Sequence, residues 1–107
     1  MTQVLEAKNN NDEQGNPTGG YVKGIGISIN WQEGPLGRGA DRKEANGAFT
    51  EGVILAALQR LEFFQLSKFK CRENALAITK LEEALHWLQS RTQRRETQQV
   101  EGTHNGN

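Results

Sequence analysis

The stretch NGAFTEGVILAALQRLEFFQL, residues 46–66, is the segment from which the fold of the chain can be worked out. Its apolar residues recur three and four positions apart, which is the spacing of one broad stripe on an α-helix. Asn46 is a residue type that caps helix N-termini, and Glu51 lies where it favours the positive end of the helix dipole. The sequence therefore predicts a first helix from about residue 46. Its stripe consists of Phe49, Val53, Ile54, Ala57, Leu58, Leu61 and Phe64.

A second helix is predicted over residues 72–95, because its apolar residues also lie three or four positions apart. The connection LSKFKC is short, so the two helices should form an antiparallel hairpin. Two helices cannot bury this much apolar surface between themselves, so we expect both another layer and another subunit to cover the remainder. The residues of the predicted seam are Ile78, Leu81, Leu85 and Leu88, and Leu76 and Trp87 lie off it.

Upstream of the helices, YVKGIGISINWQ at residues 21–32 is rich in strand-forming residues and alternates apolar with polar side chains. Gly24 and Gly26 indicate a bulge or a close approach by another group. Because one strand is not stable alone, the sequence predicts a small antiparallel sheet. The alternation sets Val22, Ile25 or Ile27, and Ile29 against Lys23, Ser28 and Asn30.

The N-terminal residues are polar and rich in Asn, Gln and Gly, so most of them are predicted to be turn or mobile, although Val4 and Leu5 could pair as a short strand. The 107 residues are expected to form one domain of the α+β class, in which a small N-terminal antiparallel β-sheet precedes a C-terminal antiparallel two-helix hairpin, as part of an oligomer. Its predicted parts are a partly mobile segment 1–19, a sheet portion and loop 20–45, the hairpin 46–98 and a tail 99–107.

Several functional classes find no support in the composition. The net charge is zero, which gives no long-range attraction to nucleic acid polymers, and no stretch has the length of a membrane span. The single cysteine, Cys71, suits a reducing cytoplasm. The sequence has no motif for a metal site, no nucleophile beside a base, and no signature of a bound cofactor. We therefore expect a cytoplasmic protein that is not an enzyme, with no catalytic residues, no metal and no cofactor.

Two groups of basic residues leave alternatives open. The loop EGPLGRGADRK carries Arg38, and it is either a solvated connector or an anion-contacting loop, since glycine-flanked backbone and arginine suit phosphate. At the end of the second helix, Arg91 shares a face with Arg94 and Arg95. These arginines either complement the helix dipole or bind phosphate through their guanidinium groups.

Five segments together resemble a known family. They are GYVKGIGISINWQEGPLGR, NGAFTEGVILAALQRLEFFQ, CRENALAI, ALHWLQSRTQRR and VEGTH, and they extend from about residue 20 to residue 104. The combination is similar to the phage-encoded Thoeris anti-defence sponges, the first-described family of these inhibitors. Their C-terminal hairpin is shared with anti-CBASS sponges, which capture cyclic dinucleotides.

The resemblance implies a protein that binds and sequesters cyclic nucleotide immune signals without cleaving them. The principal signal is a cyclic ADP-ribose made by bacterial TIR proteins, and cyclic oligonucleotides occupy a separate site in such sponges. The implied assembly is a homo-oligomer of dimers that associate into hexamers, and the implied location is the cytoplasm of the infected bacterial host. Two alternatives remain: an oligomeric scaffold that binds nucleic acid or protein, and a cyclic ADP-ribose hydrolase.

The resemblance also implies ligand-binding residues. Phe64 in LEFFQ matches the aromatic residue of the cyclic ADP-ribose pocket, and Asn74 in RENAL matches its asparagine. Phe64 could instead be core packing, with Phe63 in its role, and Asn74 could be a helix cap. For the cyclic trinucleotide site, the matching residues are Arg91 in the SRT segment and Arg38 in the GPLGR loop.

Overall fold

The computed structural model describes residues 4–37 and 39–97, which divide into two compact units in the chain between Phe49 and Thr50. The first unit holds a three-stranded antiparallel sheet, and the second holds two helices that pack against each other. This confirms the α+β class predicted from the sequence. The elements are β1 (Glu6–Asn11), β2 (Pro17–Gly24), β3 (Ile27–Asn30), a short 3₁₀ helix (Gly39–Asp41), α1 (Thr50–Gln65) and α2 (Arg72–Thr97).

The single strand predicted over residues 21–32 is in fact the centre of a β-hairpin. β2 ends at Gly24, and Ile25 and Gly26 form a two-residue turn before β3 begins. Gly26 has a φ of 75°, so it serves the turn instead of a bulge or a close approach. Val22 lies directly opposite Ile29, which places the two side chains on one face of the sheet. The open choice between the isoleucines is settled for Ile27, since Ile25 is 91% exposed.

Strand pairing reaches further towards the N-terminus than the sequence predicted. β1 begins at Glu6, just after Val4 and Leu5, and it pairs with β2 in the order β1-β2-β3. The connection is an Asx-type turn, in which the Asp12 carboxylate accepts hydrogen bonds of 2.9 Å from the backbone N–H groups of Gln14 and Asn16. Every residue of β1 is exposed, so this strand carries no apolar pattern that sequence analysis could detect.

The segment after β3 returns to the sheet before the first helix begins. Trp31 and Ala48 form a parallel bridge, and the Ala48 N–H donates to the Asn30 carbonyl at 2.7 Å. Asn46 is therefore not the helix cap that the sequence predicted, because α1 begins only at Thr50. The Asn46 side chain instead accepts a hydrogen bond of 2.8 Å from the Glu33 N–H, and its own N–H donates to Gln32 Oε1 at 2.8 Å.

The helical unit buries little of its apolar surface. Leu58 is the one buried apolar residue among the described residues, and the predicted seam of α2 is half-buried. Leu76 and Trp87 lie off this seam as predicted, and Trp87 is 65% exposed. Cover by a further layer or subunit stays a prediction. Among the described residues, neither helix is long and apolar enough to cross a membrane.

Candidate functional site

Two of the predicted ligand residues lie at the closed end of the hairpin, where the chain passes from α1 to α2. Phe64 is the penultimate residue of α1, and Asn74 is the third residue of α2. Both are half-buried, so part of each side chain remains accessible. The hairpin therefore brings them to the same end of the helical unit, although they are ten residues apart in the sequence.

Hydrogen bonds fix the connection between the two helices. Gln65 Oε1 accepts from the Cys71 N–H at 2.9 Å, and Gln65 Nε2 donates to the Cys71 carbonyl at 3.1 Å. Ser67 Oγ donates to the Phe64 carbonyl at 2.6 Å and accepts from the Phe69 N–H at 3.0 Å. These contacts satisfy backbone groups that the helix termini leave unpaired. They hold the end of α1 and the start of α2 in a defined relation.

Cys71, and not Asn74, occupies the cap position of α2. Cys71 Sγ accepts a hydrogen bond from the Asn74 N–H at 3.4 Å, and the Cys71 carbonyl accepts from the Ala75 N–H at 3.2 Å. The alternative role of Asn74 as a helix cap is therefore wrong. Within the described part of the chain the Asn74 side-chain amide makes no hydrogen bond. Its donor and acceptor are both available to a ligand.

Loss of the Gln65 side chain should loosen this end of the hairpin. Gln65→Ala removes both hydrogen bonds to Cys71, and each is worth about 0.5–1.5 kcal/mol. Because these groups are exposed and water can replace the side chain, we expect a loss near the lower end, about 1 kcal/mol in all. Thermal unfolding followed by circular dichroism measures the change. Gln59→Ala makes the same substitution at an exposed position of the same helix and is the control, and equal melting temperatures for the two variants would contradict the assignment.

Aromatic rings and a guanidinium group are assembled beside Phe64. The rings of Phe63 and Phe64 meet edge to face, with centroids 5.6 Å apart. The Arg60 guanidinium lies over both rings, 4.8 Å from each centroid. Sequence analysis missed Arg60, although its position three and four residues before the two phenylalanines placed it on their helix face.

The same end of the hairpin exposes further apolar and basic groups. Leu66 is 91% exposed and Phe69 is 64% exposed. Lys68 Nζ lies 5.3 Å from the centre of the Phe69 ring. Aromatic faces beside cations suit a nucleotide, since bases stack on rings and phosphate oxygens pair with guanidinium and ammonium groups. A binding site for a nucleotide-sized anion is what these residues can form.

The other two predicted residues do not join this site. Arg91 lies seventeen residues beyond Asn74 on α2, which is about 25 Å along the helix axis. Arg91 is exposed, as its predicted contact with an anion requires. Arg38 lies outside the described residues, so its place in the site stays a prediction. The described residues contain no group of three or more potential metal ligands.

Comparison with known proteins places the hairpin in a family. Residues 23–93 match the family model described as Acb2/Tad1, hairpin domain. A protein of Bacillus phage SBSphiJ7, named Thoeris anti-defense 1, is 52% identical over 77 residues, which cover 72% of this chain and 51% of that protein. The chain thus spans about half the length of this curated relative. The range matched by the family model includes Phe64, Asn74 and Arg91.

Proposed function

The chain belongs to the Acb2/Tad1 hairpin family, as its resemblance to the anti-defence sponges predicted, and from this premise we propose that it is a phage anti-defence protein. It binds cyclic nucleotide immune signals, above all a cyclic ADP-ribose made by TIR proteins, and sequesters them without cleavage. The effector that the signal would activate then stays inactive. The protein acts in the cytoplasm of the infected bacterial host.

The observation that carries the proposal is the group of binding side chains at the closed end of the hairpin. Phe64 stacks on the adenine base. The Asn74 amide, which has no hydrogen-bond partner among the described residues, donates to and accepts from the base or ribose. Arg60, held over the Phe63 and Phe64 rings, contributes a guanidinium for the diphosphate. Each group holds a ligand, and none of these three roles requires a bond to be broken.

A second ligand site is part of the proposal and depends on assembly. The protein forms dimers that associate into hexamers, and a cyclic trinucleotide lies on a three-fold axis where Arg91 and Arg38 of each subunit contact one phosphate. The exposed apolar residues of the helices, Trp87 above all at 65% exposure, support assembly because a monomer rarely leaves such groups uncovered. Light scattering that finds a monomer at micromolar concentration would contradict it.

Calorimetry distinguishes signal capture from binding of a nucleic acid polymer. The protein is titrated with cyclic ADP-ribose, linear ADP-ribose and an oligoadenylate strand at about 50 and about 200 mM salt. We expect saturable binding of the cyclic compound, weaker binding of the linear one, and a small effect of salt, because a shaped pocket discriminates between the closed ring and its hydrolysed form. Tightest binding of the oligonucleotide, falling steeply with salt, would favour the nucleic-acid scaffold instead.

A further inference from the structure

The sheet unit contains a cavity that the hairpin site does not use. Its volume is about 280 Å³, close to the lower end of the roughly 300–1,000 Å³ found for small-molecule sites. That size fits a ligand of one ring. The aromatic and hydrogen-bonding residues that line it include Asn10, Thr18, Tyr21, Asn30, Trp31 and Glu33.

Strand register accounts for the position of the cavity. Tyr21 on β2 lies directly opposite Asn30 on β3, so their side chains share one face of the sheet. The Val22–Ile29 pair, one residue along each strand, belongs to the other face. Trp31 is held beside them because its backbone N–H donates to the Gly20 carbonyl at 3.0 Å. The cavity therefore lies on the face of the sheet that carries Tyr21 and Asn30, opposite the face that carries Val22 and Ile29.

Hydrogen bonds between side chains and the backbone hold part of the cavity lining in place. Asn46 and the backbone of Glu33 are joined by a hydrogen bond of 2.8 Å, and Asn46 N–H donates to Gln32 Oε1 at 2.8 Å. Gly19, with a φ of 98°, is one of the lining residues. A Cβ on Gly19 would lie 3.4 Å from the Trp31 carbonyl oxygen and 3.5 Å from Glu33 Cβ. The missing side chain therefore keeps space open between β2 and residues 31–33.

The polar side chains of this lining are available to a ligand. Within the described part of the chain, the side chains of Asn10, Thr18, Asn30 and Glu33 make no hydrogen bond, and neither does the Trp31 indole N–H. Together they offer donors and acceptors around two half-buried aromatic rings. Such a combination recognises a ring that has an apolar face and hydroxyl groups at its edge.

The charge of the lining disfavours an anion. Glu33 is its one ionisable carboxylate, and none of the described lining residues is Lys, Arg or His. Lys23 lies 4.6 Å from the centre of the Tyr21 ring but is not among the lining residues. A phosphate entering the cavity would meet a carboxylate, and no cation of the lining would offset it. The cavity therefore differs from the hairpin site, which is lined by Arg60.

We propose that the sheet cavity binds an uncharged sugar ring, either as a free monosaccharide or as the ribose of a nucleoside. The apolar face of the ring packs on Tyr21 and Trp31, and its hydroxyl groups exchange hydrogen bonds with Asn30 and Glu33. Because all of these residues lie in the sheet unit, the proposal does not depend on cyclic ADP-ribose binding at the hairpin.

A single-tryptophan protein tests the proposal. Trp87→Phe leaves Trp31 as the sole tryptophan of the chain. Its fluorescence is followed during titration with adenosine, D-ribose and adenosine 5′-monophosphate, with side-chain amide NMR as a second readout. We expect saturable changes with adenosine that Asn30→Ala weakens about tenfold, since a hydroxyl group of the ligand then loses its hydrogen-bond partner. Ser28→Ala is the matched control, because Ser28 is exposed two residues earlier on β3 and lies outside the lining.

The three ligands distinguish the possible outcomes. Binding of both ribose and adenosine supports a free-sugar site, and binding of adenosine alone supports a nucleoside site. Tighter binding of the monophosphate than of adenosine would overturn the proposal, as would the absence of any saturable change. Equal effects of Asn30→Ala and Ser28→Ala would also overturn it. A Trp31 signal that changes with protein concentration alone would show that a second copy of the chain covers the cavity, and this too would overturn the proposal.

Discussion

Arg91→Glu is expected to abolish binding of a cyclic tri-adenylate while leaving cyclic ADP-ribose binding nearly unchanged. In the proposed hexamer each subunit around a three-fold axis offers the same arginine to an equivalent phosphate, so one substitution would remove three contacts. A hydrogen bond to a charged group is worth about 1.5–3 kcal/mol, and the reversed charge adds repulsion at each phosphate. The combined loss exceeds two orders of magnitude in affinity. Cyclic ADP-ribose is unaffected because Arg91 lies about 25 Å along α2 from Asn74.

Calorimetry with the cyclic tri-adenylate and with cyclic ADP-ribose measures whether the variant loses one ligand and keeps the other. Lys80→Glu is the matched control, since it makes the same charge reversal on the same helix at a side chain that is 78% exposed. Light scattering must give the wild-type mass for both variants, so that loss of assembly is not mistaken for loss of a contact. If Arg91→Glu loses both ligands in an intact hexamer, the assignment of two sites is wrong.

Phe64→Ala and Asn74→Ala are expected to have the opposite effect, with loss of cyclic ADP-ribose and retention of the trinucleotide. Stacking of a base on an aromatic side chain is worth about 1–3 kcal/mol, which corresponds to about 5- to 150-fold in affinity. Removal of the Asn74 amide leaves polar atoms of the ligand unpaired, at a cost of about 1–3 kcal/mol. The proposal assigns both residues to one pocket, so the double variant should lose less than the sum of the two single losses.

Phe63→Ala is the control for this pair of variants, because Phe63 is the neighbouring ring and is 56% exposed. A larger loss of cyclic ADP-ribose in Phe63→Ala than in Phe64→Ala would transfer the stacking role to Phe63. Asn74→Ala should retain the wild-type melting temperature, since Cys71 is the residue that caps α2. If both Phe64→Ala and Asn74→Ala retain full affinity, the pocket lies elsewhere.

The hairpin was predictable because its apolar residues obey one period over most of both helices. Leu58 is buried and the α2 seam is half-buried, as that period requires. The β-hairpin was harder to predict from the sequence. The alternation of apolar residues continues across Ile25 and Gly26, so it does not reveal that the chain turns there. β1 is polar and exposed throughout, so its pairing depends on β2 and not on a pattern of its own.

The candidate site was predicted through family resemblance more than through chemistry. Phe64 and Asn74 are ten residues apart in the sequence, and it is the hairpin that brings them to the same end of the helical unit. Asn46 shows why residue type alone does not predict a helix cap. Its side-chain oxygen, which could have capped a helix, accepts a hydrogen bond from the Glu33 N–H instead. The sheet cavity could not have been predicted, since it depends on the register that sets Tyr21 opposite Asn30.

Recovery of the intact signal from the denatured complex is the most direct test of sequestration. The protein is incubated with TIR-derived cyclic ADP-ribose, unbound ligand is removed, and the complex is denatured by heat before chromatography of the supernatant. We predict that the released compound is unchanged cyclic ADP-ribose in an amount equal to that bound, and that it again activates the effector. Recovery of linear ADP-ribose would contradict sequestration and would identify the protein as a hydrolase.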